Sequence, residues 1–171
     1  DEVQNLLAKE RLPKKIPSSA YLSSGNIPII DQSKDFICGY SNDQENKLVC
    51  DVPRIVFGDH TRILKLINFD FARGADGTQI ILSNNPSVPQ HFFYHTLLKI
   101  DLSNYGYSRH FKFLKESKVI VPKQYISNKF EFLVKSLYDQ IKLNVGLNRE
   151  LSELRDWLLP MLMNGQVTIK D

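Results

Sequence analysis

The sequence predicts an α+β protein: a mixed, curled-sheet domain over residues 1–126, then a long coiled-coil-type helix with a short tail over 127–171. Two observations carry this reading. Short runs rich in Ile and Val, bounded by Gly, Asn, Asp and Pro, fill the first part. From Asn128 to Met163 the only glycine is Gly146 and the only proline is Pro160, and apolar residues recur at helical spacing.

The strand candidates are IPII (27–30), DFICGY (35–40), PRIVF (53–57), RILKLINF (62–69), TQIIL (78–82) and KVIVP (118–122). Between them GADGT (74–78) signals a turn, with Gly74 and Gly77 supplying positive φ around Asp76. VPQHFFYHTLLKI (88–100) reads as a helix that begins just after Pro89, and RHFKFLKE (109–116) as helix or irregular. In the long helix, Asn128 with Glu131 forms a capping box. Phe130, Val134, Leu137 and Ile141 follow a 4-3-4 rhythm, which Leu151, Leu158 and Leu162 continue. Asn144, Asn148 and Arg155 interrupt it. Near Val145–Leu147 the stripe can shift, since Leu147, Leu151, Leu154 and Leu158 also align. Asn164-Gly165 is a stop signal, and Pro160 costs the last turn a kink or a backbone bond. Thirty-six residues at ~1.5 Å each make a rod of about 54 Å. Its stripe calls for a partner helix, unless the helix folds back on its own domain.

At 42% hydrophobic and 24% charged, the chain can bury a core. All of the net +3 charge sits in residues 1–126, because 127–171 balance six basic against six acidic residues. That is a mild bias toward anionic partners. Cys38 and Cys50 make no CxxC pair, so no zinc site is expected and ordinary thiols of a cytoplasmic protein are. No run approaches a membrane span, and the charged start DEVQNLLAKERLPKK does not read as a signal peptide.

Catalytic patterns are incomplete. RIVFGDHTR (54–62) packs Asp, His and Arg in close order, as a hydrolase site or a phosphate-facing turn would. His91 and His95 have metal-ligand spacing, but Phe92 stands where a zincin needs Glu, and no further ligands are evident. Glu116-x-Lys118 is only the tail of a nuclease carboxylate-lysine motif. NNPS (84–87) departs from the Asn-Pro-Pro-Tyr loop of adenine methyltransferases at Ser87 and Val88. No phosphate-binding Gly-Lys loop and no Gly-rich cofactor turn occur. No metal, cofactor or catalytic residue is therefore expected.

Four blocks resemble the specificity subunit of type I restriction–modification systems: GNIPIIDQSKDFICGYSND (25–43), RIVFGDHTRILKLINFDFARGADGTQIIL (54–82), YSRHFKFLKESKVIVP (107–122) and LSELRDWLLPMLMNGQV (151–167). Gly-Asp-His-Thr-Arg followed by Gly-Ala-Asp-Gly-Thr is the most specific part. The chain departs from many members at 121–130, where Lys123 replaces part of a Pro-Pro and no Glu-Gln pair follows. The resemblance implies a non-catalytic reader of double-stranded DNA that directs adenine methyltransferase and restriction subunits to their target. It implies a target-recognition domain followed by one long helix, where the usual member has two of each; the chain is then a half-length subunit or a piece of a longer one. The helix partner would be a second copy, antiparallel, or the second half of a full subunit, with Asn144 and Asn148 near the middle fixing register.

On that reading Asp59, His60 and Thr61 brace a turn, Asp59 capping its own turn, because a turn shared by readers of different sequences is poorly placed to choose bases. Arg62, Arg109 and Lys112 are the expected phosphate contacts. The loops 42–47, 83–90 and 103–109 are the expected base readers, with Asn84, Asn85, Gln90 and Tyr107 as named candidates. A coiled-coil adaptor whose head binds protein, and a Mg²⁺-dependent nuclease using Glu116 and Lys118, are the alternatives.

Overall fold

A computed structural model describes residues 1–106 and 109–166. Among these residues the architecture is α+β, with two small sheets, two short α-helices, one long α-helix and three single 3₁₀ turns. The strands are β1 (Ile27–Ile30), β2 (Gly39–Ser41), β3 (Lys47–Leu48), β4 (Arg54–Gly58), β5 (Leu64–Ile67), β6 (Phe71–Arg73) and β7 (Thr78–Ile81). The helices are α1 (Gln90–Leu97), α2 (His110–Glu116) and α3 (Gln124–Met163). Two compact units emerge, Asp1–Lys135 and Ser136–Asp171. The first runs past residue 126 because the opening turns of α3 pack on it: Phe130 meets the rings of Phe92 and His95 edge-on, and the Glu131 carboxylate bonds His91 Nδ1.

One sheet has the order β2-β1-β6-β3, with β1 and β6 parallel and the outer pairs antiparallel. The other is the antiparallel β5-β4-β7, with Ile55 opposite both Leu66 and Ile81. All five residues of β4 are buried, as suits the central strand of its sheet, and the Arg54 guanidinium that opens it is paired with Glu10. Ile30, Leu48, Val56, Ile67 and Phe71 form one core cluster drawing on both sheets, and Ile16, Ile27, Ile29 and Ala72 form another. A buried Lys65 donates from Nζ to the Asp31 and Asp35 carbonyls, so its charge stays hydrogen-bonded. Burial lowers its pKa below the ordinary lysine value.

Several expectations are corrected. Residues 118–122 form no strand: only Lys118 bridges, to Glu2, while Val3 N–H bonds Ser117 O and Val119 N–H bonds Asp1 O. DFICGY is strand only from Gly39, the preceding residues being bends anchored by Cys38 N–H on Ile29 O. In the GADGT turn, positive φ falls on Ala75 and Gly77, not on Gly74. Gly74 is there for space: a Cβ would stand 2.1 Å from Tyr21 Oη and 2.8 Å from Ile29 Cγ2. α3 begins at Gln124, so Asn128 lies inside it and no capping box forms. Instead Lys123 O takes the Ile126 and Ser127 N–H groups, and Glu131 turns to His91. The helix runs through Pro160, which has no N–H to offer the Asp156 carbonyl. Its end is the expected one. Gly165 has φ +68°, Gln166 N–H bonds Met161 O, and Gly165 N–H bonds Leu162 O, together a Schellman motif.

Gly74→Ala should destabilise the first unit by about 1–3 kcal/mol through overpacking against Ile29. Urea melts compared with wild type read this directly, and an unchanged midpoint would mean that the Tyr21 side can open at no cost.

Candidate functional site

The hairpin between β4 and β5 turns at Asp59–Ile63. Gly58 N–H bonds Ile63 O, Arg62 N–H bonds Gly58 O, and Arg62 takes the left-handed conformation at φ +62°. Gly58 permits the turn, since a Cβ there would meet Thr61 Oγ1 at 2.1 Å.

Asp59, His60 and Thr61 do brace structure, but Asp59 does not cap its own turn. Its buried carboxylate accepts the Phe111 N–H at 2.8 Å, at the start of α2. Its carbonyl takes the His110 backbone N–H at 3.0 Å and faces His110 Nδ1 at 2.9 Å. The other ring nitrogen of His110 faces Tyr105 O. A carboxylate at a helix N-terminus satisfies a donor the helix leaves unpaired and complements its positive end. Thus a residue about fifty positions upstream supplies the cap that Arg109, the N-cap residue, does not.

Gln32, just after β1, joins this turn to the next. Its Oε1 accepts His60 N–H at 3.2 Å, its Nε2 donates to Asp76 O at 3.0 Å, and its carbonyl accepts the Thr61 hydroxyl at 2.6 Å. Asp59 N–H then bonds Gly77 O at 2.8 Å. Residues 32, 58–63, 76–77 and 110–111 therefore form one hydrogen-bonded cluster. Gln32 was not among the sequence candidates. Its partners lie 28 to 44 residues away, and no local pattern announces them.

Around the cluster, Arg62, Arg109 and Lys112 are exposed. Arg62 leans from the turn, Nη1 donating to Leu102 O at 3.2 Å. Tyr105 stacks on Phe113 of α2 at 3.9 Å between ring centroids. Tyr107 lies outside the described residues.

The 83–90 loop is divided in its roles. Gln90 is buried and spends both ends of its amide inside the chain: Oε1 accepts Ser83 N–H, and Nε2 donates to Pro53 O and Ile81 O. That is a brace, which corrects the expectation that Gln90 reads bases, because its buried amide is already bonded at both ends. Asn85 accepts Ser87 N–H in an Asx turn. Asn84 is exposed, its Nδ2 placed against the Asn5 and Leu7 carbonyls. Both asparagines line a hollow of about 400 Å³ with Pro86, Pro53 and Glu131. In the 42–47 loop, Asp43 caps a short 3₁₀ turn and Asn42 accepts Asn26 N–H.

Along α3, Phe130 and Val134 are half-buried and belong to the first unit, which corrects Phe130 as a partner-helix residue: its ring is spent on α1. Leu137, Ile141, Leu151 and Leu162 are exposed, Leu158 is half-buried, and Asn144 and Asn148 are exposed. Leu147 and Leu154 of the shifted stripe are exposed as well, and exposed Trp157 adds to the apolar surface.

The groups first weighed for catalysis are dispersed. Glu116 ends α2 and Lys118 sits on the bridge to Glu2, neither on a central strand. Burial pushes the Cys38 thiol up to about 12 and the Cys50 thiol up to about 11, so both stay protonated. Among the described residues no three His, Cys, Asp or Glu side chains gather as a metal-binding group, and no helix is long and apolar enough to cross a membrane. No family model, no curated protein and no solved structure matches the chain.

Asp59→Ala should remove the α2 cap and cost about 1–2 kcal/mol. Hydrogen exchange localises the effect: the Phe111 amide should lose protection ahead of those in β4. Equal loss along β4 would mean that Asp59 supports the whole sheet rather than α2.

Proposed function

We propose that the chain is a DNA-reading specificity subunit of a type I restriction–modification system, with no chemistry of its own. In that role it directs adenine methyltransferase subunits, and a restriction subunit, to a target sequence. The observation that carries the reading is the convergence of three of the four resembling blocks on one cluster. Gln32 comes from the first, Asp59–Arg62 and Asp76–Gly77 from the second, and His110–Phe111 from the third. Residues that recur among readers of different DNA sequences ought to hold the frame rather than choose bases, and buried or paired side chains suit that task. The exposed cations Arg62, Arg109 and Lys112 at the edge of this frame suit phosphates. Exposed loop groups such as Asn84 suit base edges.

The long helix supports a helical partner. A side chain such as Leu or Ile contributes roughly 1.5–3 kcal/mol when buried. Leu137, Ile141, Leu151 and Leu162 are exposed, and pairing with another helix, from a second copy or from a second half of the subunit, would bury them.

Two measurements test this. Arg62→Ala should weaken binding to all duplexes alike and flatten the dependence of log K on log salt by about one unit. A change in the preferred sequence would assign Arg62 to base reading instead. Leu151→Asp and Leu158→Asp should shift the mass measured by light scattering at micromolar concentration toward the single chain. A wild type that is already a single chain, with both variants equally soluble, would contradict helix pairing between copies.

A further inference from the structure

Residues 9–15, Lys-Glu-Arg-Leu-Pro-Lys-Lys, have no regular secondary structure, yet they are tied down along their length. Before them, Leu7 bridges Ser83, Ala8 N–H bonds Leu82 O, and the Asn84 amide bonds the Asn5 and Leu7 carbonyls. After them, Ile16 bridges Gly74, and Ala75 N–H bonds Ile16 O. Midway, Arg73 Nη2 donates to Pro13 O at 2.8 Å.

From Lys9 to Leu12 the side chains alternate as in an extended strand, and past Pro13 the alternation shifts so that Lys14 is exposed. Leu12 turns inward onto the cluster of Ile30, Leu48, Val56, Ile67 and Phe71. Glu10 turns inward too, and buried Arg54 grips both of its oxygens, Nη2 to Oε1 at 2.8 Å and Nε to Oε2 at 3.2 Å. Lys9, Arg11 and Lys14 face solvent, with Lys15 partly exposed and 3.9 Å from the exposed Asp76 carboxylate. The strap's one acid is thus neutralised from beneath, which leaves Lys9, Arg11 and Lys14 on its outer side and Lys15 at its edge beside Asp76.

We propose that this strap is a phosphate-binding track for duplex DNA, running from the Asn84 loop to the Gly74–Gly77 turn. The proposal rests on the DNA-reading function above and adds a contact surface to it. From Lys9 to Lys15 an extended chain spans at most about 20 Å. One strand presents a phosphate for every ~3.4 Å of helix axis, so the track can lie along several successive phosphates. Holding the cations on a tethered backbone lowers the ordering cost of binding. Phosphate contacts of this kind orient a reader without choosing a sequence.

The test uses the full chain with its methyltransferase subunits and short random-sequence duplexes, binding being read by fluorescence anisotropy over a salt series. The strap variant is Lys9→Gln/Arg11→Gln/Lys14→Gln/Lys15→Gln. The charge-matched control is Lys129→Gln/Lys135→Gln/Lys142→Gln/Arg149→Gln on α3. The strap variant should lose roughly two to four units of salt slope, near 0.9 per phosphate contact, while the control keeps the wild-type slope. Should the quadruple variant melt early, Lys9→Gln/Arg11→Gln and Lys14→Gln/Lys15→Gln apart should each remove about half of the loss. Salt-sensitive wild-type binding with an unchanged slope in the strap variants, or an equal loss in the control, overturns the strap alone. A wild-type complex with no salt-sensitive affinity for DNA overturns the DNA-reading function and the strap with it.

Discussion

Asp59 is the point on which the arrangement of the first unit's working surface depends. Its N–H holds the Gly77 turn, its carbonyl holds His110, and its carboxylate caps α2 through Phe111. A buried carboxylate is tolerated only when its lone pairs are used, and here the start of a helix uses one. Because α2 has only seven residues, it has little stability of its own and takes its position from outside. The cap supplies that position. Gln32 then ties the same hairpin to the neighbouring turn, so one backbone corner fixes where Arg62, Arg109 and Lys112 stand.

The strands with the strongest patterns were legible in the sequence. IPII, RIVF and TQII combine β-branched residues with turn residues at both ends, and each is a strand within a residue or so of its expected bounds. α1 begins after Pro89 because proline suits a helix entrance. KVIVP misled because a β-rich pentapeptide has no strand to join there except the first three residues, and these pair with it only at one bridge. GADGT was legible as a turn but not in detail. Gly74 is required by its neighbours Tyr21 and Ile29, which lie far away in sequence, while Ala75 carries the positive φ.

The site divides in the same way. That Asp59, His60 and Thr61 brace a turn could be argued from residue type, whereas Gln32 and Phe111 as their partners could not, because those bonds close loops of tens of residues. Gln90 shows the limit of composition: a glutamine in a polar loop looks available until its amide is found between Pro53, Ile81 and Ser83. In α3 the periodicity identified a helix and its apolar surface, but the entry was set by packing. Phe130 and Glu131 are held by α1, and the helix starts upstream of the residues that read as its cap.

The proposed DNA-reading role is tested by mapping methylated adenines in cells that co-express the chain with type I methyltransferase subunits. If the chain reads DNA, methylation should fall at a defined sequence, appear only when the chain is present, and move when the exposed loops around Asn84 are exchanged. A folded chain that binds those subunits yet leaves the methylation pattern unchanged, or that supports methylation without any sequence preference, would contradict it.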